Sequence, residues 1–215
     1  MNSSSVLVIA HRGASADFPE NTIAAFEGAA DQGADWVELD ARTTAEGVVV
    51  VHHDAHLPDG RPLVRLRLDE LPPTVHTLTA ALACCARRGM GVNVEIKALP
   101  GEPDHHSADA LADEVVAAVA DLTVPVLVTS FDAATVDRVH RHAPDLPVGQ
   151  LTFVPHGDLS VVGESAARGS SPLNPWAPMV TAELVAAARA AGLAVYPWTA
   201  DDPEELTRLL ALGVY

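Results

Sequence analysis

Charged and histidine side chains lie in this sequence at the ends of short apolar segments, where a protein core normally contains aliphatic groups. The set consists of His11, Arg12, Glu38, Asp40, His53, Glu95 and Lys97. Side chains two apart in a strand point to the same face, so Glu38 should lie beside Asp40, and Glu95 beside Lys97. Converging carboxylates need a cation to remain ionised, and hard oxygen ligands suit Ca²⁺ or Mg²⁺. We therefore predict a divalent metal ion bound by Glu38, Asp40 and Glu95.

The charge of this group matches one class of small molecule. The carboxylates carry three negative charges, whereas a divalent cation together with Arg12 and Lys97 supplies four positive charges. The remaining positive charge matches a phosphodiester monoanion. The side chains of His11 and His53 can act as an acid and a base near neutral pH. The residue types therefore predict metal-assisted phosphoryl transfer on a small-molecule phosphodiester.

Short apolar segments alternate with amphipathic ones along the chain. The predicted strands are Val6–Ala10, Trp36–Asp40, Val48–His53, Val92–Lys97, Pro125–Ser130, Pro147–Leu151, Ser171–Pro175 and Ala194–Thr199. Between them, Asn21, Asp132 and Thr181 are typical N-caps of helices, and Gly89 and Gly213 are typical ends. This alternation indicates a parallel α/β fold. Because no glycine-rich phosphate loop follows the first strand, we predict a (β/α)8 TIM-type barrel, in which active sites assemble at the C-terminal mouth.

Two irregularities interrupt the alternation. Only a short segment separates Asp40 from Val48, which is too little for a crossover helix. The barrel is therefore expected to be irregular at its second and third strands. Residues 55–76 are rich in proline and predict a short loop excursion. Because the chain shows no linker, repeat or low-complexity tract, we predict a single barrel domain over residues 1–215.

The C-terminal segment predicts a further departure from a regular barrel. The last predicted helix ends at Gly213, and only Val214 and Tyr215 follow it. We therefore expect the closing C-terminal strand to be missing from this chain. Val6–Ala10 would then lack a backbone partner along one side. An extension of roughly ten residues that supplies such a strand is expected to raise stability and activity.

The composition excludes several kinds of partner. The 215 residues include 13 Lys and Arg against 29 Asp and Glu, which gives a formal net charge of −16. So acidic a chain disfavours nucleic acid and anionic lipid as partners. There is no signal-peptide pattern and no apolar run near the ~20 residues of a membrane span, so no stable membrane anchor is expected. The adjacent Cys84 and Cys85 suit a reducing compartment, and we predict a cytoplasmic protein whose oligomeric state stays open.

Five segments of the sequence together resemble one enzyme family. They are AHRGASADFPENTIAAF from Ala10, VELDARTTAEGVVVVHHD from Val37, VEIK from Val94, SFD from Ser130 and YPWT from Tyr196. In this order they are similar to the glycerophosphodiester phosphodiesterase family, which is related to the phosphoinositide-specific phospholipases C. The resemblance runs from the first strand to the C-terminus. It implies a metal-dependent TIM-barrel hydrolase that converts glycerophosphodiesters to an alcohol and glycerol 3-phosphate.

The resemblance also implies a role for each matched residue. These roles are acid and base for His11 and His53, phosphate binding for Arg12 and Lys97, a flank of the glycerol pocket for Trp198, and metal binding for Glu38, Asp40 and Glu95. Glu20 and Asn21, in the segment PENT, would be structural. His52 doubles the motif histidine, but strand alternation should place only one of the two adjacent side chains inside the barrel.

Two other functions remain open at this point. A lysophospholipase D or phospholipase-type enzyme that acts on lipid diesters would need an apolar mouth. A non-catalytic phosphate-sensing module would typically lack one metal ligand or one histidine, and this chain has all of them. The nucleophile, which could be water or a neighbouring glycerol hydroxyl that forms a cyclic phosphate, is equally open.

Overall fold

A curved β-sheet with surrounding helices forms the fold of this chain. The computed structural model describes residues 6–97, 99–153 and 158–214. The strands are β1 (Ile9–His11), β2 (Trp36–Thr43), β3 (Val49–Val51), β4 (Gly91–Ile96), β5 (Val126–Ser130), β6 (Val148–Thr152), β7 (Pro172–Pro175) and β8 (Ala194–Val195). The α-helices are α1 (Ile23–Asp31), α2 (Leu78–Arg88), α3 (Ala108–Val119), α4 (Ala133–His142), α5 (Ser160–Ala167), α6 (Ala182–Ala190) and α7 (Pro203–Leu212). Within the described residues, none of the helices has the length and apolar character that a membrane span requires.

The order of the strands is that of a parallel barrel. The path is β1-β2-β4-β5-β6-β7-β8, and every neighbouring pair along it is parallel. β3 stands outside this path and pairs antiparallel with β2, where Arg42 lies opposite Val50. Parallel neighbours need crossover connections, which the helices supply. The predicted TIM-type barrel is confirmed, as is its irregularity at the second and third strands.

Alternate residues of the central strands face two different environments. The largest apolar cluster combines side chains of α1 to α4 with Val37, Leu39, Ala41, Val92, Val94 and Ile96. The intervening residues of the same strands, among them Glu38, Asp40 and Glu95, therefore face the barrel interior. Burial of each large aliphatic side chain on the outer face contributes roughly 1.5–3 kcal/mol. This face stabilises the sheet and leaves the opposite face for polar groups.

Most of the predicted helix ends follow local capping chemistry. The side chains of Asp132 and Thr181 accept the backbone N–H three residues later, at 2.9 and 3.2 Å. Gly89 ends α2 in the left-handed conformation, with a φ of 70°. The prediction that Asn21 caps the first helix is wrong, since the cap is Thr22. The reason is that the side chain of Asn21 is directed to β2 instead.

The third strand is shorter than the sequence predicted. β3 ends at Val51, so His52 and His53 lie in the loop that follows. Both imidazole rings contact Asp54. Nδ1 of His52 lies 2.9 Å from the backbone carbonyl oxygen of Asp54, and Nδ1 of His53 lies 2.7 Å from its carboxylate oxygen Oδ1. These contacts hold the chain in a turn, so strand alternation cannot decide which of the two histidines faces inward.

The excursion over residues 55–76 has a small core of its own. It contains two short 3₁₀ helices, Leu63–Arg65 and Leu68–Glu70. Leu57, Leu63 and Leu66 form an apolar cluster that is separate from the barrel core. The segment is therefore held by packed side chains and begins after Asp54, the residue that follows the two histidines.

The sheet does not close into a ring within the described residues. There, β1 pairs with β2 alone, and no ladder joins β1 to β8. The prediction that the first strand lacks a partner on one side is thereby confirmed for this part of the chain. At the other end of the sheet, the N–H of Trp198 donates to the carbonyl of Pro175 at 3.1 Å. This contact extends the last ladder to the C-terminal mouth.

Candidate active site

Neighbouring strands bring the three predicted metal ligands together. In the parallel ladder between β2 and β4, Asp40 lies opposite Glu95, and Glu38 lies opposite Asn93. Glu38, Asp40 and Glu95 are buried, and one oxygen from each lies within 4.8 Å of the others. The register of the ladder therefore builds a carboxylate cluster from two distant sequence segments.

The carboxylate cluster has the properties of a cation site. Burial raises the pKa of Glu38 well above its ordinary value, and the charges of Asp40 and Glu95 raise it further. Burial raises the pKa of Glu95 to about 7, although Lys97 opposes this shift. Among the described residues, Oε1 of Glu38 and Oδ1 of Asp40 have no hydrogen-bond donor. Such converging oxygens fit a divalent cation of the Ca²⁺ or Mg²⁺ type.

Lys97 places a positive charge beside these carboxylates. Its Nζ lies 2.6 Å from Oε1 of Glu95 and 3.4 Å from Oδ1 of Asp40. Burial lowers the pKa of Lys97, but the charges of Glu95 and Asp40 outweigh this effect and raise it. The ammonium group therefore stays charged at neutral pH and can bind an anion.

The first strand ends in a tight turn that carries His11. This residue lies opposite Glu38 in the ladder, and its Nε2 is 3.9 Å from Oε2 of Glu38. Burial and the charge of Arg12 lower the pKa of His11, which favours a neutral ring. In the same turn Gly13 has a φ of 82°, and a Cβ there would lie 2.7 Å from the backbone of Ala25. Glycine thus allows the turn to pack against α1.

Arg12 contacts the carboxylates through its backbone and its side chain. Its N–H donates to the carbonyl of Glu38 at 3.0 Å and to Oε2 of the same residue at 3.1 Å. Nε lies 3.4 Å from Oδ2 of Asp40, and Nη1 lies 2.9 Å from Oε2 of Glu20. Burial opposes the charge of the guanidinium, yet Asp40 and Glu20 raise its pKa. Arg12 and Lys97 are therefore two fixed cations on the same carboxylate, Asp40.

Two residues that sequence reasoning treated as structural contact the charged groups directly. Nδ2 of Asn21 donates to Oδ2 of Asp40 at 2.7 Å, and the N–H of Asp40 donates to Oδ1 of Asn21 at 3.3 Å. Asn21 has a φ of 58°, which asparagine tolerates better than most residues. Glu20 contacts Nη1 of Arg12 through both oxygens, at 3.0 and 2.9 Å. The motif PENT was the available signal, but it did not reveal these partners.

A cavity of about 730 Å³ is lined by residues that include His53 and Lys97. Its lining also includes His52, Glu20 and the start of the excursion. Nδ1 of His53 lies 2.7 Å from Oδ1 of Asp54, and such a carboxylate contact orients an imidazole ring. The structure thus brings His53 to the same cavity as Lys97, and it brings His52 there as well.

Aromatic side chains line the other half of the mouth. Phe131, Phe153, Trp176 and Trp198 follow the last strands of the sheet, β5 to β8. The ring of Trp198 lies 5.1 Å from that of Phe131 and 5.2 Å from that of Phe153. Nζ of Lys97 lies 5.8 Å from the centroid of Phe131. Trp198 is therefore part of an aromatic wall that reaches the charged groups through Phe131.

Comparison with known proteins identifies the family. The sequence model of the glycerophosphoryl diester phosphodiesterase family matches residues 11–215. The chain belongs to this family. The matched span contains all of the residues in the charged group described above, which confirms the resemblance seen in the sequence motifs.

Individual members of the family resemble the chain over nearly its whole length. A glycerophosphodiester phosphodiesterase of Caldanaerobacter subterraneus subsp. tengcongensis is 29% identical, over 97% of this chain and 91% of its own. The "Probable glycerophosphodiester phosphodiesterase 1" of Mycobacterium tuberculosis is 33% identical, over 96% of this chain and 86% of its own. A phosphodiesterase of Oleispira antarctica, solved in complex with the product sn-glycerol-3-phosphate, superposes with a TM-score of 0.88 at 25% identity, covering 97% of this chain and 90% of its own. The chain is thus similar to enzymes of this family in sequence and in fold.

The raised pKa values of Glu38 and Glu95 predict the pH dependence of stability in the absence of metal. The ordinary value is 4.5, whereas Glu95 in the folded protein titrates near 7. Between these values the folded state binds more protons than the unfolded state, so the free energy of unfolding should fall as the pH rises. Ca²⁺ or Mg²⁺ binds ionised carboxylates, so the gain in Tm on adding the cation should be larger at about pH 8 than at about pH 6.

Thermal unfolding at the two pH values, with and without cation, measures this effect. Asp113→Asn is a suitable control, because Asp113 pairs with Arg138 between α3 and α4, away from the cluster. That variant should keep the pH dependence, whereas Glu95→Gln should reduce it. A gain in Tm that does not change with pH contradicts the prediction.

Proposed function

We propose that this protein hydrolyses glycerophosphodiesters to an alcohol and glycerol 3-phosphate, with Ca²⁺ or Mg²⁺ as its metal ion. The observation that carries the proposal is the convergence of three buried carboxylates with two cations and a histidine at the C-terminal ends of parallel strands. Family membership supports the reaction, and the sn-glycerol-3-phosphate bound to the Oleispira antarctica enzyme supports the substrate class.

Charge compensation is the main contribution that these residues make to the proposed reaction. A bound divalent ion would polarise the phosphoryl oxygens and offset the charge of Glu38, Asp40 and Glu95. We assign to Arg12 and Lys97 the binding of the phosphate oxygens, whose negative charge grows in the transition state. Glu20 and Asp40 hold the guanidinium of Arg12 in place before the substrate binds. Positions fixed in advance reduce the reorganisation that the reaction requires.

Two histidines supply the proton transfers in this proposal. One of them removes a proton from the attacking oxygen, which belongs to water or to the neighbouring glycerol hydroxyl, and the other protonates the leaving alcohol. Attack by the glycerol hydroxyl gives a cyclic phosphate, which water then opens to glycerol 3-phosphate. The lowered pKa of His11 favours the neutral ring that a base requires. His53 then serves as the acid, with its ring oriented by Asp54.

The aromatic wall favours a second candidate substrate. Phe153 and Trp176 are 58% and 37% exposed and contact each other. Phe153 also stacks on Phe131, whose ring lies 5.8 Å from Nζ of Lys97. An apolar surface of this kind suits the acyl chain of a lysophospholipid. A lysophospholipase D type of activity on lipid diesters is therefore the alternative that the assay must separate.

An assay of the released alcohol tests both candidates, because a glycerophosphodiester gives the alcohol and glycerol 3-phosphate, whereas a lysophospholipid gives the alcohol and lysophosphatidic acid. The substrates are glycerophosphodiesters with several alcohol groups and one lysophospholipid, each measured with Ca²⁺, with Mg²⁺ and with EDTA. We expect release from the water-soluble diesters, loss of release with EDTA, and recovery when either cation is added in excess. Faster cleavage of the lysophospholipid would favour the second candidate. A protein that cleaves none of the diesters with either cation is not the enzyme proposed.

The setting of the enzyme is part of the same proposal. We place it in the cytoplasm, as a single barrel domain over residues 1–215 that acts on small molecules. Cys84 and Cys85 are free thiols buried in α2, which suits a reducing compartment. The net charge of −16 disfavours nucleic acid as a partner.

A further inference from the structure

Arg42 is a buried cation that the chemistry described so far does not use. It lies two residues beyond Asp40 on β2, and therefore on the same face of that strand. Its exposed fraction is only 2%. Removing a guanidinium from water is costly unless its donors find partners. The partners of Arg42 therefore indicate what the residue does.

Two of these partners are backbone carbonyls of proposed active-site residues. Nε of Arg42 donates to the carbonyl oxygen of His53 at 2.7 Å. Nη1 donates to the carbonyl oxygen of Lys97 at 3.3 Å. His53 follows β3 and Lys97 follows β4, and these two strands pair with opposite edges of β2. One side chain thus connects the backbone at two points on either side of the strand that carries Glu38 and Asp40.

The other partners are carboxylates from the segment that follows β4. Nη1 lies 2.7 Å from Oδ2 of Asp104. Glu102 accepts from both terminal nitrogens, each at 3.1 Å, and its Oε2 also accepts the backbone N–H of Leu99 at 3.2 Å. Asp104 is as deeply buried as Arg42. These contacts neutralise the guanidinium and fix its plane.

We propose that Arg42 is a positioning residue that sets the backbone of His53 and of Lys97 relative to each other, with Glu102 and Asp104 holding its guanidinium in the required orientation. The inference rests on the functions proposed above for His53 and Lys97. A guanidinium donates from fixed directions in one plane, so it determines both the distance and the angle between two acceptors. A displacement of about 1 Å in such a site can cost as much as about 10²-fold in rate.

Substitution of Arg42 by lysine or glutamine separates the effect of its positive charge from the effect of its planar set of hydrogen-bond donors. Arg42→Lys keeps a positive charge for Asp104, but one ammonium group cannot reproduce the planar fork that reaches both carbonyls. We expect kcat/KM to fall about 10–100-fold in Arg42→Lys, while its Tm stays closer to that of the parent protein than the Tm of Arg42→Gln. KM should rise because Lys97 moves, and the pH profile of kcat/KM should shift because His53 moves.

Two further variants distinguish a change in the geometry of the site from a loss of folding. The double variant Arg42→Gln with Asp104→Asn leaves no unpaired buried charge from this pair, and it should show the same rise in KM and the same shift in pH profile. Arg138→Gln is the matched control, because Arg138 makes a bidentate pair with Asp113 at 2.8 and 2.6 Å outside the barrel. It should keep the KM and the pH profile of the parent protein.

A purely structural role predicts a different result. Partial unfolding lowers the apparent kcat but leaves KM and the pH profile of the folded fraction unchanged. That outcome, or a parental kcat/KM in Arg42→Lys, overturns the proposal.

Proton NMR of the His53 ring tests the same proposal without substrate. The titration of this ring should shift in Arg42→Lys and in the double variant, but not in Arg138→Gln. If the parent protein cleaves no diester, the proposed function fails, and the NMR titration still decides the role of Arg42.

Discussion

Alanine in place of His11 or His53 is expected to lower kcat about 10²–10⁴-fold, because each substitution removes a group that transfers a proton. The side chains of His11 and His53 are 35% and 33% exposed, so neither substitution opens a cavity in the core. Tm should therefore change little, and a divalent cation should still bind. Release of glycerol 3-phosphate, thermal unfolding and calorimetric titration with the cation measure the three quantities.

His52→Ala is the matched control for His53→Ala. The two residues are adjacent, both line the cavity, and both rings contact Asp54. We expect His52→Ala to retain most of the parental kcat. Equal losses in the two variants would show that His53 alone is not the acid, and a loss confined to His52→Ala would exchange their roles.

Asp40→Asn is expected to lower kcat on the order of 10³-fold, since a metal ion contributes several kcal/mol to the stabilisation of the transition state. Asp40 is fully buried, and it is the one carboxylate of the cluster that contacts both Arg12 and Lys97. Asparagine keeps the shape of the side chain but removes the charge that binds a cation. Both turnover and the affinity for Ca²⁺ or Mg²⁺ should therefore fall together.

The control for this substitution is again Asp113→Asn. Asp113 is a carboxylate that pairs with an arginine, but it lies on α3 outside the barrel. It should leave both turnover and cation affinity at the parental level. Unchanged cation affinity in Asp40→Asn would remove Asp40 from the proposed metal site. Unchanged turnover with lost affinity would show that the reaction does not need the metal.

Much of the charged group could be predicted because it follows from strand periodicity. In β2 and β4, aliphatic residues at alternate positions pack against the helices, and this packing places Glu38, Asp40 and Glu95 on the opposite face. A one-residue slip would expose the whole apolar set, so the register is strongly determined. The sequence was therefore sufficient to predict that these carboxylates converge.

Predictions that depended on a local boundary were less successful. The segment Val48–His53 has the β-branched composition of a strand, but the contacts of His52 and His53 with Asp54 end the strand at Val51. Asn21 is a good helix cap by type, but its bonds to Asp40 compete with that role, and Thr22 caps the helix. In both places a polar side chain can form either of two alternative hydrogen bonds, and the sequence alone does not show which of the two is more stable.

By itself, the sequence determined the barrel class, the faces of its central strands, the family and the set of residues that could bind a metal and a phosphate. Tertiary structure alone decided the partners of Arg42, the contact of Glu20 with Arg12 and the aromatic wall around Trp198. The reason is the range of the interactions. Periodicity and capping involve residues within one element, whereas these contacts join loops from different strands, and only the register and curvature of the folded sheet set the distances between such loops.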